Sequence, residues 1–299
     1  MVKYNPRTWF SLIFHSYSRQ VLAKLLPAIL SMGAFTTAFC FFVLHYLKLR
    51  QDHFQGTTVV HSLLGIVLGL FLVFRTNSAY DRWWEGRRLW GGLVNSTRNF
   101  AIKLNAYLPP EEREQREWFG RMIPNFVYAM KEHLRKGVKF EELEPVDSTF
   151  TEELMKVNHR PNRLSAQMYE RLNSLYVNKR FSESQLLNLD KEMKDFIDIL
   201  GACERIKNTP IPYSYTMYIK KFIFLYIVTL PFGFIATFGY FTIATVILVS
   251  YVLLSVELIA EEIEDPFGRD INDLPTDELA SKIRGNVKEI LNVQEKTAV

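Results

Sequence analysis

Hydrophobic positions along the chain fall into long charge-free runs, separated by segments in which apolar residues return every three or four positions. From Leu25 to Leu47 only His45 can carry a charge, which is enough helix to cross the ~30 Å hydrocarbon core of a bilayer. Lys48 to Gly56 is polar and ends in a Gly breaker. Val59 to Phe74 is a second, shorter apolar run, and the pair reads as a helical hairpin. Phe222 to Val256 is again free of charge and roughly twice the ~20 residues that one span needs, so it predicts two spans with a break near Phe238-Gly239-Tyr240. Trp9 to Phe14 is a short amphipathic stretch suited to a membrane interface.

Between the apolar runs the period changes to that of soluble helices. Trp118, Phe119, Met122, Phe126 and Met130 form one stripe, opened by Pro109-Pro110 and expected to bend at Pro124. Gly137 to Asn158 reads as an irregular connection. Pro161 to Tyr176 is a helix carrying Leu164, Met168, Leu172 and Leu175. Ser182 and Gln185 form a capping box ahead of Leu186, Leu189, Met193, Phe196, Ile197 and Leu200. No stretch alternates as a strand does. The expected fold is all-α: a polytopic membrane protein with four transmembrane helices and a cytosolic helical body. Residues 1–74 hold an N-terminal segment and two spans, 75–221 the body, 222–260 two further spans, and 261–299 an acidic turn with a C-terminal helix.

Composition sharpens this picture in a few places. A content of 48% hydrophobic and 14% aromatic residues is rich for a soluble chain of 299 residues. The net charge of +4 is modest and no basic block stands on a tail, which argues against a nucleic-acid partner and for a lipid surface. Arg75, Arg82, Arg87, Arg88, Arg205, Lys207, Lys220 and Lys221 border the central segment, whereas the intervening turns carry few cations; the body and both termini are therefore expected in the cytosol. Cys40 and Cys203 lie in unlike surroundings and suggest no disulfide. No cleavable leader is expected at the N-terminus.

Enzyme motifs are missing: there is no nucleophile elbow, metalloprotease motif, phosphate loop or dinucleotide fingerprint. The six histidines are scattered, and none has a Cys or His partner at ligand spacing. His61, near the start of the second run, reads as an interfacial residue. An acidic stretch, Glu261 to Asp273, is the one constellation with metal-like chemistry, since hard oxygen ligands in a turn suit Ca²⁺.

The second apolar run passes without a Pro into Phe74-Arg75-Thr76-Asn77-Ser78-Ala79-Tyr80-Asp81-Arg82-Trp83-Trp84-Glu85-Gly86-Arg87-Arg88-Leu89-Trp90-Gly91. This run resembles the signature of bacterial bestrophin-like proteins, carried here by Arg75, Asn77, Asp81, Arg82, Trp83, Trp84, Arg87 and Trp90. The later Asp-Pro-Phe-Gly, with Pro266, Phe267 and Gly268, is similar to the family's second signature. The resemblance implies a passive ion channel of five identical subunits in an inner membrane, conducting chloride by family default, with sodium the alternative found in some bacterial members. It places a constriction called the neck at Ile66, Leu70 and Phe74, which the residues themselves set on one apolar helix face. It implies a second constriction near the cytosolic mouth, with Ile206, Thr209 and Ile211 as candidates. Eukaryotic relatives bind calcium after Pro-Phe-Gly; here Asp270 and Asp273 match two carboxylate positions, but Arg269, Ile271 and Asn272 interrupt the run. No cofactor is expected, and calcium control is expected to be weak or absent. The rival readings are a membrane-embedded enzyme or transporter and a membrane scaffold.

Overall fold

A computed structural model describes residues 16–46, 56–135 and 137–293, with side chains from residue 21 onward. Trp9 to Phe14 and all but the end of the Lys48 to Gly56 connection lie outside the described residues. The elements are α1 (Ser16–Phe41), a π turn (Phe42–Tyr46), α2 (Thr57–Tyr107), α3 (Arg113–His133), a 3-10 turn (Phe140–Glu142), α4 (Phe150–Met155), α5 (Arg160–Val177), α6 (Glu183–Asn208), α7 (Tyr213–Phe238), a 3-10 turn (Gly239–Phe241), α8 (Thr242–Glu264) and α9 (Thr276–Ile290). Among the described residues there is no strand.

Among the described residues three stretches are long and apolar enough to cross a membrane: Val21–Tyr46, Thr57–Tyr107 and Tyr213–Glu264. The third is divided at Gly239, whose φ of +54° suits a residue without Cβ and sets the turn between α7 and α8. The second extends well beyond its apolar run. With no Pro and no helix-ending Gly, α2 runs unbroken for 51 residues, so the apolar run and the charged signature share one helix.

The chain forms two compact units. One comprises residues up to Trp83 with Pro210–Asp265 and Asp270–Asn272; the other comprises Trp84–Thr209, Pro266–Arg269 and the residues from Asp273 onward. Hydropathy sets boundaries at residues 75 and 222, but packing sets them at residues 84 and 210, because helices that leave a bilayer keep packing on each other for further turns. In the first unit α1 lies against α8 and α7 against α8. Leu68 and Leu72 of α2 pack on Ile219, Ile223, Ile227 and Leu230 of α7 and Val246 of α8. Lipid tails are as apolar as leucine, so close packing rather than water exclusion holds these helices. Gly65 illustrates this: a Cβ there would stand 2.7 Å from the Tyr226 hydroxyl.

In the second unit α3 is the centre, packed by α5 and α9, while α6 lies on α5. Phe119, Met122, Phe126 and Met130 are all buried on α3, and the helix continues through Pro124. It begins at Arg113, later than Pro109-Pro110 suggested, because the two prolines enter a turn closed by Glu112 N donating to Pro109 O at 3.0 Å. Phe100 of α2 meets Phe119 and Phe196 edge-on at 6.0 and 5.5 Å between ring centres. The Ser182 capping box forms in both directions, with Gln185 N donating to Ser182 Oγ at 3.3 Å and Ser182 N to Gln185 Oε1 at 2.9 Å. Of the α6 stripe, Leu189, Met193, Phe196 and Leu200 are buried, while Ile197 is exposed. The connection expected to be irregular contains the 3-10 turn and α4, whose Phe150 and Leu154 are buried. Cys40 and Cys203 are both buried free thiols, as expected. Burial pushes the Cys203 thiol up to about 12, with Glu85 and Glu204 nearby adding to the effect.

Candidate functional site

The 3.6-residue period gives α2 two unlike faces in the first unit. Leu68, Leu72, Arg75 and Ala79 are buried against the unit's own helices. On the other side Ile66, Leu70 and Phe74 are 71, 56 and 54% exposed, and Leu63 and Val73 extend the same bare surface. Gly69 also faces open space, whereas Gly65 is a packing contact.

Arg75 follows Phe74 directly and is fully buried. Its Nη2 donates to Glu264 Oε2 at 2.7 Å, and its Nε lies 3.6 Å from Glu257 Oε1, an ion pair too long for a hydrogen bond. Glu264 is bound three times over. Its Oε1 accepts from the backbone N of Ile211 at 2.9 Å, and its carbonyl accepts from Arg82 Nε at 3.1 Å. One residue, through its carboxylate and its carbonyl, thus ties two signature arginines to the segment that carries Ile211. Trp83 Nε1 donates to Asn272 O at 2.9 Å and stacks on Tyr80, while Asn77, Asp81 and Trp84 are exposed.

In the second unit the two signature runs meet. A Cβ on Gly86 would lie 3.2 Å from the Phe267 ring and 3.2 Å from Pro266, so these side chains press directly on helix backbone. Trp90 is fully buried with its Nε1 unbonded, Arg87 is half-buried, and Gly268 follows in the turn whose Pro266 carbonyl accepts from Leu274 N at 2.9 Å. Of the aperture candidates, Ile206 is 3% exposed and faces the core of its own unit, Thr209 caps α6 and is exposed, and Ile211 is half-buried.

Two clusters of ligand-type atoms occur among the described residues, and neither contains Asp270 or Asp273. Asp270 is exposed and Asp273 buried, while Arg269 of the same turn pairs with Glu132 at 3.2 Å. The first cluster, Glu132, Glu142 and Asp277, already holds a cation, because Lys131 Nζ lies 3.4, 2.7 and 2.7 Å from their oxygens. Burial opposes the charge on Lys131, but its bonds to Asp277 and Glu142 outweigh burial and raise the ammonium above the ordinary lysine value. Bonds from Arg135 and then Lys131 hold the Asp277 carboxyl well below the usual range.

The second cluster joins two histidines that no ligand spacing in the sequence pairs. His133 and His159, distant in sequence, both place Nε2 2.7 Å from Glu204 Oε1, with their rings 4.5 Å apart. His159 also caps α5, its Nδ1 accepting from Asn162 N at 3.2 Å. A neutral ring that accepts at Nδ1 carries its proton on Nε2, so His159 is wired to donate to Glu204 rather than to bind a metal. His61 is a packed residue. It is 7% exposed, with Nδ1 2.9 Å from Thr57 O and Nε2 3.1 Å from the Thr229 hydroxyl.

A family model described as bacterial/fungal bestrophin protein matches residues 1–289. A voltage-dependent anion channel-forming protein of Nostoc sp. is 38% identical over 232 residues, 76% of each chain. One of Escherichia coli K12 is 33% identical over 278 residues, covering 92% of this chain and 89% of the relative. The crystal structure of a bacterial bestrophin homologue from Klebsiella pneumoniae superposes with a TM-score of 0.80 at 26% identity, covering 90% of this chain and 99% of the other.

Proposed function

Because the chain belongs to the bacterial and fungal bestrophin family, we propose that it is a passive anion channel, a homopentamer whose second helix lines the pore. The observation that carries this reading is the bare apolar face of α2. A helix packed by Leu68 and Leu72 on one side and presenting Ile66, Leu70 and Phe74 on the other has a surface that one chain does not cover. Five copies around an axis cover it from within, and the three side chains become rings of a narrow neck. Such a neck carries no charge and resists ions by the cost of removing their water, so it sets conductance more than sign. Family membership also sets the chain among channel proteins, away from the enzyme and scaffold readings.

Thr209 and Ile211 are the remaining aperture residues, Ile206 being turned into its own core. In this reading α1, α2, α7 and α8 are four spans, so both termini share a side, and the cations that border the body put that side in the cytosol of a cell with an inner membrane. Ile271 and Asn272 interrupt the carboxylates at Asp270 and Asp273, and in this reading conduction is independent of micromolar Ca²⁺. Chloride is favoured over sodium because the relatives are named as anion channel-forming proteins. The reading is tested by the reversal potential of pure protein in asymmetric NaCl, with its mass in mild detergent. A chloride-directed reversal potential from a five-subunit particle is expected; a sodium-directed one, or conduction by a monomer, would overturn it.

A further inference from the structure

The stripe of α2 that carries Ile66, Leu70 and Phe74 does not end at Phe74. At about 100° per residue the next side chains to face the same way are Asn77 and Asp81, and Asp81 points between the directions of Leu70 and Phe74. Both are exposed. Asp81 therefore stands at the centre of the bare surface, roughly 10 Å beyond Phe74 at the helical rise of ~1.5 Å per residue. Its carboxylate makes no hydrogen bond or ion pair among the described residues. Its neighbours one turn away on the helix, Asn77, Ser78, Trp84 and Glu85, include no cation. Of the nearby arginines, Arg75 is held by Glu264 at 2.7 Å, and Arg82 Nε donates to the Glu264 carbonyl at 3.1 Å. Arg88 is exposed on the same stripe but about two turns farther on, roughly a Debye length from Asp81. Asp81 is thus the first formal charge that the stripe presents after its apolar part. An apolar constriction does not discriminate by sign, so the sign of the permeating ion is left to charges standing beside it.

We propose that Asp81 is a selectivity-determining residue, an inference that rests on the pore reading given above. In a ring of subunits lined by this stripe, each copy sets one carboxylate around the axis just beyond the neck, on the side of the helical body. The ring gathers cations and thins out chloride, so it holds down the anion preference of the channel. Five charges at roughly 10 Å, screened over ~8 Å, change the local concentration of each monovalent ion by about threefold. The changes are opposite for chloride and sodium, which makes about tenfold in their ratio.

The test is the reversal potential of the purified full chain in a planar bilayer under a NaCl gradient, for wild type, three Asp81 variants and Leu70→Ala. Asp81→Asn is expected to raise the chloride-to-sodium permeability ratio about tenfold, and Asp81→Lys to raise it further. Asp81→Glu keeps the charge and is expected to keep the wild-type ratio. Leu70→Ala is expected to raise conductance with the ratio unchanged, which separates the two readings. If Leu70→Ala raises conductance while Asp81→Asn and Asp81→Lys leave the ratio unmoved, the pore stands and Asp81 has no part in selectivity. If Leu70→Ala leaves conductance unchanged, the pore reading falls and this assignment with it. A ratio that moves as far in Asp81→Glu as in Asp81→Asn would trace the effect to packing rather than charge and overturn the assignment as well.

Discussion

At the scale of single residues, Leu70 sits at the middle of the bare face of α2 and touches nothing in its own chain that its loss would unsettle. Leu70→Ala is expected to leave the melting temperature within the change typical of an exposed position, about 0.5 kcal/mol, while widening the neck and raising conductance. Unchanged conductance in a correctly assembled variant would place the pore elsewhere. Glu264 behaves in the opposite way, because Arg75 and the Ile211 amide both bond to its carboxylate. Glu264→Ala strands a buried guanidinium and is expected to cost about 3–5 kcal/mol in thermal unfolding. Asp277 carries a pH dependence. Its folded-state carboxyl ionises at lower pH than in the unfolded chain, so its stabilisation is present above about pH 4 and fades as pH falls further. Its side chain is largely exposed, and water screens part of the gain. Asp277→Asn is expected to lower the melting temperature at neutral pH and to flatten the acid limb of the melting curve; parallel curves would assign the acid limb to other groups. Contacts of this kind were not legible in the sequence. Glu264 and Arg75, or His133, His159 and Glu204, are joined across many intervening residues by tertiary folding, and no local period records that.

At the scale of elements the sequence was more readable, because caps, breakers and stripes are local. The charge-free run from Phe222 to Val256 exceeds one span, and Gly239 divides it with φ +54°. Gly239→Ala places a Cβ in a backbone region that other residues avoid and is expected to cost about 1–3 kcal/mol, read as a lower unfolding midpoint. No loss of stability would mean that the turn relaxes freely. The Ser182 box was legible as Ser-x-x-Gln and is present. The extent of α2 was less legible, since the change from apolar to charged residues marks a change of surroundings and not the end of a helix. Gly86 was quoted within the signature without a role. Its role is the close approach of Phe267 and Pro266, which only the folded chain reveals. Gly86→Ala is expected to push the Phe267 ring aside at a cost of about 1–3 kcal/mol by overpacking.

At the scale of the whole molecule, hydropathy foretold an all-α membrane protein, and its compact units divide at other residues than its apolar runs do. The segments that complete the second unit, Pro266–Arg269 and the chain from Asp273, follow the last apolar helix in sequence, yet α9 packs on α3. The proposed ring assembly belongs to this scale too, since it would cover the α2 face. The two thiols bear on how such a ring can be inspected. Cys40 and Cys203 are both shut away from water, and the latter keeps its proton far above neutral pH. A water-soluble maleimide should therefore find the native protein silent, without the removal of either cysteine. A single cysteine introduced at position 70 would then report, by its labelling rate alone, whether water reaches the centre of the neck.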